Sequence, residues 1–294
     1  MKKFTYYPGC TLHTKAKELD RLARAVSAKL GVDLVEMPAW TCCGAIYNTN
    51  TDDLASQLGP VRNLARASQF GDTLVTLCAA CYNVLKRANR ALVEGTEERT
   101  GKRLLDFIDE PYDPKLKVVH LLEVLRDEVG WEEVKRHARK PLRGLKVASY
   151  YGCLMVRPHG VMAFDDPTHP VMLDELMAAT GAEPVHFDFK TKCCGGYLVT
   201  TQREAAVSCV RRIVDNARDV GADVMTATCP LCHYNVDALQ QDIMHDDPDF
   251  RPVPILYFPK LVGLAMGMPA DDLAFDYGKI DARPVLRERG LLPG

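Results

Sequence analysis

Short apolar runs alternate with longer amphipathic stretches along the first half of the chain. The short runs predict strands at residues 3–7, 32–37 and 73–77. Apolar residues spaced three and four positions apart predict helices at residues 14–30 and 52–70, and a third helix that ends near residue 92. Asp52 and Asp53 favour the start of the second helix, because carboxylates stabilise the positive end of a helix dipole.

The second half repeats this order of elements. Strands are predicted at residues 146–150, 184–187 and 223–227, and helices at residues 170–180 and 203–218. Apolar runs at residues 118–122 and 254–258 occupy corresponding places late in each half. The alternation predicts an α/β fold of two tandem homologous domains, each a mostly parallel, Rossmann-like sheet with helices on both faces.

A charged segment separates the two repeats. Residues 131–140 read Trp-Glu-Glu-Val-Lys-Arg-His-Ala-Arg-Lys, and Pro141 and Gly144 precede the next strand. We interpret this segment as a surface helix between domains, which predicts domains at residues 1–143 and 144–294. Residues 94–114 are also highly charged and rich in turn formers, and they predict a surface excursion available for partner contacts.

The composition narrows the class of protein. The 294 residues are 47% hydrophobic and 26% charged, with a formal net charge of -2, and basic residues are spread along the chain. This is typical of a globular protein and argues against a nucleic-acid partner. The amino terminus lacks the apolar core of a secretory signal, and the most apolar window, residues 255–268, is interrupted by Pro259 and Lys260. We therefore expect a cytoplasmic protein with no direct membrane insertion.

Ten of the eleven cysteines form two copies of one pattern, a single Cys, a Cys-Cys-Gly and a Cys-x-x-Cys. The first copy is Cys10, Cys42, Cys43, Cys78 and Cys81, and the second is Cys153, Cys193, Cys194, Cys229 and Cys232. At each of the last four positions of the pattern, the equivalent cysteines of the two copies are 151 residues apart. The first cysteines of the two copies, Cys10 and Cys153, are 143 residues apart. One fold unit is thus present twice, with eight additional residues early in the second copy.

Every cysteine group follows a predicted strand. The carboxyl ends of parallel strands form the ligand crevice of such sheets, so the five cysteines of each half are expected to converge there. In a reducing cytoplasm, recurrent cysteines indicate metal or redox chemistry ahead of structural disulfides. Zinc and cubane clusters each take four ligands, and adjacent cysteines are unusual for both. A fifth cysteine therefore indicates a centre that is larger or more irregular than a cubane.

The doubled cysteine layout resembles the cysteine-rich CCG domain family, which is defined by HdrB, the B subunit of heterodisulfide reductase. The segments 164–167 (Phe-Asp-Asp-Pro), 173–176 (Leu-Asp-Glu-Leu) and 190–196 (Lys-Thr-Lys-Cys-Cys-Gly-Gly) share the resemblance. It implies that each set of five cysteines binds one non-cubane 4Fe-4S cluster. It also implies that a small-molecule disulfide is reductively cleaved, or reversibly formed, between the two clusters. The implied partners are a ferredoxin-like subunit (HdrC) and a flavin-containing subunit (HdrA).

A second function stays open beside this one. Related CCG proteins are electron-transfer subunits that pass electrons to quinone or another carrier. Two complete cysteine sets favour the catalytic alternative, because a carrier can work with one intact site. The chain has neither a ferredoxin-type cysteine run nor a Gly-x-Gly-x-x-Gly motif, so both functions require a partner that supplies electrons.

Cationic residues near the second cysteine set are candidates for substrate binding. Arg157, Lys190 and Lys192 are close in sequence to the cysteine ligands and are predicted to bind an anionic disulfide. The alternative is that they are solvated surface charges. Glycines adjoin both cysteine pairs, at Gly44, Gly195 and Gly196, where they allow either close backbone approach or simple turns.

Three histidines near the cysteines are candidate proton donors to a departing thiolate, namely His13, His159 and His233. The alternative is that they only form hydrogen bonds with sulfur or backbone atoms. The eleventh cysteine, Cys209, lies in the middle of a predicted helix and is interpreted as a small buried hydrophobic residue.

Overall fold

Two four-stranded parallel sheets form the centre of the computed structural model, which describes residues 1–45, 54–94 and 98–293. The first sheet has the order β2-β1-β3-β4 and contains β1 (Lys2–Tyr7), β2 (Val32–Glu36), β3 (Thr73–Thr76) and β4 (Lys117–His120). The second has the order β6-β5-β7-β8 and contains β5 (Lys146–Tyr150), β6 (Glu183–Pro184), β7 (Val224–Ala227) and β8 (Ile255–Tyr257). The shared order confirms the predicted α/β fold with tandem repeats.

Helices connect the strands and continue beyond them. The first half contains α1 (Gly9–His13), α2 (Lys17–Lys29), α3 (Leu58–Ala67), α4 (Ala79–Glu94), α5 (Glu98–Ile108), α6 (Leu121–Val124) and α7 (Trp131–His137). The second half contains α8 (His159–Met162), α9 (Met172–Ala179), α10 (Leu198–Thr201), α11 (Arg203–Asp219), α12 (Pro230–Asp246), α13 (Phe258–Ala265) and α14 (Arg283–Glu288). Helical turns of 3-10 type cover Leu54–Gln57, Ala270–Leu273 and Phe275–Tyr277, and a π turn covers Leu125–Val129.

Several elements differ in extent from the prediction. The helix predicted at residues 14–30 is divided between α1 and α2, and the one predicted at residues 52–70 is α3 preceded by a single 3-10 turn. Asp52 and Asp53 lie outside the described residues. Within residues 94–114, predicted to be rich in turns, the structure has helix α5. Its Leu104 and Ile108 are buried, because the charges occupy only one side of an amphipathic helix.

The strand predicted at residues 184–187 is shorter than expected. Strand β6 consists of two residues at the edge of the second sheet, and one of them is Pro184. Pairing with β5 continues only through the amide of Val185, which donates to the carbonyl of Val147 at 3.0 Å. Proline has no amide proton to donate, which confines it to edge positions such as this one.

Each half contributes a helix that packs on the other half. Helix α13 packs against α2, and α7 packs against α9, where the indole nitrogen of Trp131 donates to Glu175 at 3.0 Å. The hydrophobic core around the first sheet therefore includes Leu173 and Phe258 from the second half. The boundary predicted at residue 143 lies between the two sheets, but side-chain packing extends across it.

Two reciprocal hydrogen bonds join the carboxyl ends of the sheets. The hydroxyl of Tyr257, at the end of β8, donates to the carbonyl of Leu77 at 2.5 Å. His120 occupies the corresponding end of β4, and its Nε2 lies 3.1 Å from the carbonyl of Thr228. Because Nδ1 of His120 accepts from the amide of Leu122, Nε2 carries the proton and donates. The carboxyl ends of the two sheets thus face each other in a pseudo-twofold arrangement.

Candidate metal centre

The cysteines of each half lie at the carboxyl ends of its strands, and the two halves bring equivalent pairs together. The sulfurs of Cys43 and Cys81 are 3.4 Å apart in the first half. The sulfurs of the equivalent Cys194 and Cys232 are 3.6 Å apart in the second half. The adjacent-cysteine pair and the Cys-x-x-Cys segment, distant in sequence, therefore form one group in each half.

Thiol hydrogen bonds connect the remaining cysteines to these pairs. Cys10 is hydrogen-bonded to Cys42, and the equivalent Cys153 is hydrogen-bonded to Cys193. The two cysteines of each Cys-x-x-Cys segment, Cys78 with Cys81 and Cys229 with Cys232, are also hydrogen-bonded to each other. Each half thus places its five cysteines in one neighbourhood, as the topology predicted.

The two thiol groups meet between the halves. The sulfurs of Cys78 and Cys229, which are equivalent residues of the repeat, are 3.8 Å apart and buried. This contact lies beside the reciprocal hydrogen bonds, since Leu77 and Thr228 immediately precede these two cysteines. The ten cysteines consequently lie along one continuous region that crosses from one half to the other.

Cys42 in the first half is favoured as a thiolate, and so are Cys193 and Cys229 in the second half, because each has its pKa lowered by hydrogen bonds from neighbouring thiols. The pKa of Cys42 is lowered because its sulfur accepts a hydrogen bond from Cys10 and a second from Cys43. The pKa of Cys193 is lowered to about 6 by the hydrogen bond from Cys153. The donors Cys10 and Cys153 have raised pKa values, because each faces the neighbouring thiolate. Thiolates are the form in which cysteine binds a metal.

A glycine before the first cysteine of each half allows close approach of the backbone to sulfur. Gly9 has φ +72°, and a Cβ atom there would lie 2.8 Å from the sulfur of Cys81. Gly152 has φ +69°, and a Cβ atom there would lie 2.9 Å from the sulfur of Cys232. Any other residue at these positions would combine an unfavourable backbone conformation with a steric clash.

A tyrosine three residues before the first cysteine supports the cysteine pair of the same half. The hydroxyl of Tyr7 donates to the carbonyl of Thr41 at 2.8 Å, and that of Tyr150 donates to the carbonyl of Lys192 at 2.7 Å. Burial first, and then the surrounding cysteines, raise the pKa of both tyrosines, so both remain neutral donors. We did not predict this role from the sequence, although Tyr-x-Gly-Cys occurs in both halves, 143 residues apart.

Asparagines hold the cysteine-pair loops, but they come from different helices in the two halves. In α3, the side chain of Asn63 accepts from the amide of Thr41 and donates to its carbonyl, both at 2.8 Å. In α12, the amide nitrogen of Asn235 donates to the carbonyl of Gly196 at 2.6 Å. Gly195, which precedes Gly196, has φ +86°, and a Cβ atom there would lie 2.8 Å from Ala206. Close helix packing is thus the reason for a glycine at residue 195.

The second cysteine-pair loop also faces the first thiol group. Tyr197 follows Cys194 by three residues and is half exposed. The pKa of its hydroxyl is raised by partial burial and then by Cys78, Cys10, Cys81 and Cys43, all from the first half. Tyr197 therefore adjoins both groups, which the sequence did not indicate.

The structure separates the three candidate substrate-binding cations. Arg157 and Lys192 are exposed. Lys190 is buried, and its ammonium donates to the Asp174 carboxylate at 2.6 Å and to the Pro170 carbonyl at 3.0 Å. The backbone of Lys190 also supports the site, because its carbonyl accepts from the amides of Tyr151 and Gly152. Lys190 thus positions the loop before Cys153, and its predicted contact with substrate stays a prediction.

The three candidate histidines also lie in different environments. His13 is exposed and contacts the ring of Trp40, and His159 is exposed at the start of α8. His233 is fully buried, and its ring lies 5.6 Å from the ring of Tyr277. Burial, and then the charge of Lys260, lower the pKa of His233 to about 3, so the ring is neutral. Only His13 and His159 are accessible to a substrate from solvent.

Cys209 is half-buried in α11, whereas we interpreted it as a small buried hydrophobic residue. Burial and then the second cysteine pair raise its pKa. It therefore lies near the second thiol group, as a protonated thiol.

The donor set fits an iron-sulfur group. It consists of thiol sulfurs, with thiolate-favouring cysteines in both halves and glycines that leave room beside the sulfurs. Across residues 1–45, 54–94 and 98–293, no three Cys, His, Asp or Glu side chains close around a single metal ion. In the same ranges, no helix has both the length and the apolar character needed to cross a membrane.

Comparison with known proteins supports the repeat. The profile of the CCG cysteine-rich domain matches residues 4–86 and 147–237. The chain is similar to the 8-methylmenaquinol:fumarate reductase membrane anchor subunit of Wolinella succinogenes, with 34% identity over 96% of this chain and 98% of that protein. It is similar to the B subunit of a ferredoxin/F420H2-dependent CoB-CoM heterodisulfide reductase of Methanosarcina acetivorans, with 29% identity over 95% of this chain and 94% of that protein.

A solved structure shares the fold. The crystal structure of a hypothetical protein from Helicobacter pylori superposes with a TM-score of 0.74 and 17% identity. The superposition covers 95% of this chain and 52% of the other chain. At this identity the likeness concerns the fold alone.

Proposed function

Since the chain belongs to the CCG cysteine-rich domain family and resembles HdrB along nearly its whole length, we propose that it is the iron-sulfur catalytic subunit of a heterodisulfide reductase-type complex. The proposed reaction adds two electrons and two protons to a disulfide and yields two thiols, or runs in reverse. The observation that carries this proposal is the meeting of two complete five-cysteine groups at Cys78 and Cys229, with sulfurs 3.8 Å apart.

Each group would hold one 4Fe-4S cluster of the non-cubane type. The proposed ligands are Cys10, Cys42, Cys43, Cys78 and Cys81 for one cluster, and Cys153, Cys193, Cys194, Cys229 and Cys232 for the other. When bound, the clusters would supply single electrons, two of which suffice to reduce one disulfide. The protein contributes by keeping both groups in one region, so that two electrons can reach two sulfur atoms that are bonded to each other.

The accessible part of the region offers residues for substrate binding. Cys10, Cys42 and Cys193 are exposed, which places the outer end of each group at the surface. Arg157 and Lys192 are the exposed cations for an anionic small-molecule disulfide, and Lys190 supports the adjoining loop. His13 and His159 are the accessible candidates for proton donation.

The proposal includes partners, because the chain has no motif for collecting electrons from a nucleotide. The relative from Methanosarcina acetivorans is named as a subunit of a ferredoxin/F420H2-dependent enzyme. We propose that this chain has two partners in the cytoplasm, a ferredoxin-like subunit of the HdrC type and a flavin-containing subunit of the HdrA type.

Anaerobic purification with iron and labile-sulfide analysis tests the cofactor assignment. We expect about eight irons per chain and paramagnetic resonance signals from two clusters. Addition of a candidate thiol to the oxidised protein should change at least one signal, because a substrate sulfur reaches the cluster environment. Bound zinc without labile sulfide would refute the proposal.

A second candidate is an electron-transfer subunit that passes electrons to or from a quinone or another carrier. The relative from Wolinella succinogenes supports it, because that protein is named as one subunit of a menaquinol-oxidising fumarate reductase. Signals from two clusters that no thiol changes, together with oxidation by a menaquinone analogue in the assembled complex, would favour this candidate over disulfide cleavage.

A further inference from the structure

Charged residues, three of them buried and Lys86 half-buried, occupy equivalent positions behind the two Cys-x-x-Cys segments. Lys86 and Asp237 are 151 residues apart, at the same position in α4 and α12. Glu123 and Lys260 both lie three residues after the end of the last strand of their sheet, because His120 and Tyr257 occupy matching places in the strand pairing. The first half therefore has a Lys-Glu pair where the second half has an Asp-Lys pair, with the charges exchanged.

The pair in the first half is closed, meaning that its two side chains form an ion pair. The ammonium of Lys86 is 3.7 Å from the Glu123 carboxylate and donates to the hydroxyl of Tyr82 at 2.6 Å. The Glu123 carboxylate also accepts from the amide of His120 at 2.7 Å. Tyr82 directly follows Cys81, so this pair of opposite charges lies behind the first thiol group.

The pair in the second half is open, meaning that its two side chains bind other groups. Lys260 is only 1% exposed, and its ammonium donates to the carbonyl of Ala274 at 2.8 Å and lies 5.2 Å from the ring centre of Phe275. The carboxylate of Asp237 accepts instead from the amides of Lys279 and Ile280, at 2.6 and 2.9 Å. Among the ion pairs of the described residues, none joins Lys260 to a carboxylate within 4.0 Å. The cation is therefore only partly compensated.

Lys260 is close enough to the thiol region to act on it. Its ammonium lies against the ring of Phe275, and the ring of Tyr277, two residues further on, lies 5.6 Å from the ring of His233, which directly follows Cys232. One turn earlier in the chain, Tyr257 pairs with Ala227 of β7, two residues before Cys229 of the second set. Burial lowers the pKa of Lys260 itself to about 8, so the ammonium is mostly protonated at pH 7. In a water-poor interior a charge acts more strongly than in solvent.

We infer that Lys260 makes the two redox centres unequal, by raising the reduction potential of the centre held by the second set of five cysteines. A buried cation stabilises an added electron nearby, whereas the closed Lys86–Glu123 pair leaves the first centre without this stabilisation. Lys260 is thus a positioning residue that acts through the electric field, without contact with substrate. This inference rests on the proposed function, because it requires two bound clusters.

The test is a redox titration of the anaerobic holoprotein followed by paramagnetic resonance, in the wild type and in the Lys260→Met variant. Each signal is first assigned by its loss in Cys42→Ser or Cys193→Ser. We expect Lys260→Met to make the second centre about tenfold harder to reduce, a shift of about 59 mV for one electron, and to leave the first centre unchanged.

Glu123→Gln is the matched control, because it changes the equivalent buried residue of the first half. It should leave the second centre unchanged and shift the first centre in the opposite direction, since Lys86 loses its counter-ion. Equal shifts of both centres in either variant, or no shift in Lys260→Met, would overturn the inference. Lys260→Gln provides a second neutral variant should Lys260→Met fail to fold.

The pH dependence gives an independent readout. The wild-type potential of the second centre should fall as pH rises through about 8, because Lys260 loses its proton there. The charged and titratable groups that face it are His233 and Asp237 from α12, Asp276 from the 3-10 turn at 275–277, and Arg283 from α14. The step should be absent in Lys260→Met. A protein without iron would refute the proposed function, whereas two clusters with a Lys260-independent potential would refute only this inference.

Discussion

The two halves of the chain have the same residues next to sulfur and different residues one layer further out. Tyr-x-Gly-Cys, Cys-Cys-Gly and Cys-x-x-Cys occur in both halves, and the hydrogen bonds of Tyr7 and Tyr150 are equivalent. Beyond them, Asn63 supports one cysteine-pair loop and Asn235 the other, from different helices. The close packing of sulfur, glycine and tyrosine leaves no room for variation, whereas a loop can be held from either side.

The eight additional residues of the second half have a structural role. They lie between Cys153 and Cys193, the segment that contains α8, and α8 packs against α4 of the first half. There, the side-chain amide of Asn83 donates to the carbonyls of Leu154 and Arg157, at 2.9 and 2.6 Å. The added length thus serves contact between the halves, and the first half has no corresponding helix among its described residues.

Loss of one cysteine should have the largest effect and should separate the two halves. Cys42→Ser should remove the first centre and Cys193→Ser the second, so that each variant retains about half of the iron. Iron analysis and paramagnetic resonance check this expectation. Loss of both centres in either single variant would show that the two groups bind one shared assembly across the Cys78–Cys229 contact.

Alanine at Gly9 or Gly152, the glycines before the first cysteine of each half, should have the second-largest effect. Gly9→Ala and Gly152→Ala should each lower the occupancy of one centre, because the new Cβ would lie within 3 Å of Cys81 or Cys232 sulfur. Gly31→Ala is the control: Gly31 has φ +79° with no atom within 4 Å of the added Cβ. It should cost only the backbone strain, about 1–2 kcal/mol. Iron content and melting temperature compare the three variants, and an equal effect of all three would contradict the clash.

Removal of one reciprocal hydrogen bond should weaken the contact between the halves. Tyr257→Phe leaves the buried carbonyl of Leu77 without its donor, which should cost about 1–3 kcal/mol of unfolding free energy. Tyr112→Phe is the control, because its hydroxyl bonds to Asn89 within the first half. Anaerobic denaturant titration measures both variants. A larger loss in Tyr112→Phe would contradict the importance of the contact between the sheets.

Lys260→Met should have the smallest effect on stability, and the effect should depend on pH. The folded protein lowers the pKa of Lys260 from 10.5 to about 8, so the unfolded chain binds more protons between these values. The wild type therefore gains stability as pH rises from 8 to 10.5.

Methionine removes the cost of burying the ammonium, but it also leaves the carbonyl of Ala274 without a donor. We expect a net stabilisation of about 1 kcal/mol at pH 7, which should shrink above pH 8 and become a destabilisation by about pH 10. Melting temperatures at both pH values check it. A stabilisation that grows with pH would contradict the assignment of the buried charge.

The local sequence pattern was sufficient to predict the fold class and the positions of the cysteine groups in it. Spacing and periodicity indicated the strands, the duplication and the cysteine groups at the strand ends, because these depend on residues close together in the chain. The same reasoning placed Lys190 and His233 beside the cysteines in sequence, and the structure shows both side chains buried. Burial depends on what packs over a residue, which spacing along the chain does not describe.

Tertiary structure alone decided how the two repeats meet. The contact between Cys78 and Cys229, the bonds of His120 and Tyr257 across the halves, and the packing of α13 on α2 all join residues far apart in sequence. The exchange of charge between Glu123 and Lys260 became recognisable only through the strand pairing, because the two segments that carry them are offset by a different number of residues from the cysteines. Such relations arise from the docking of one sheet against another.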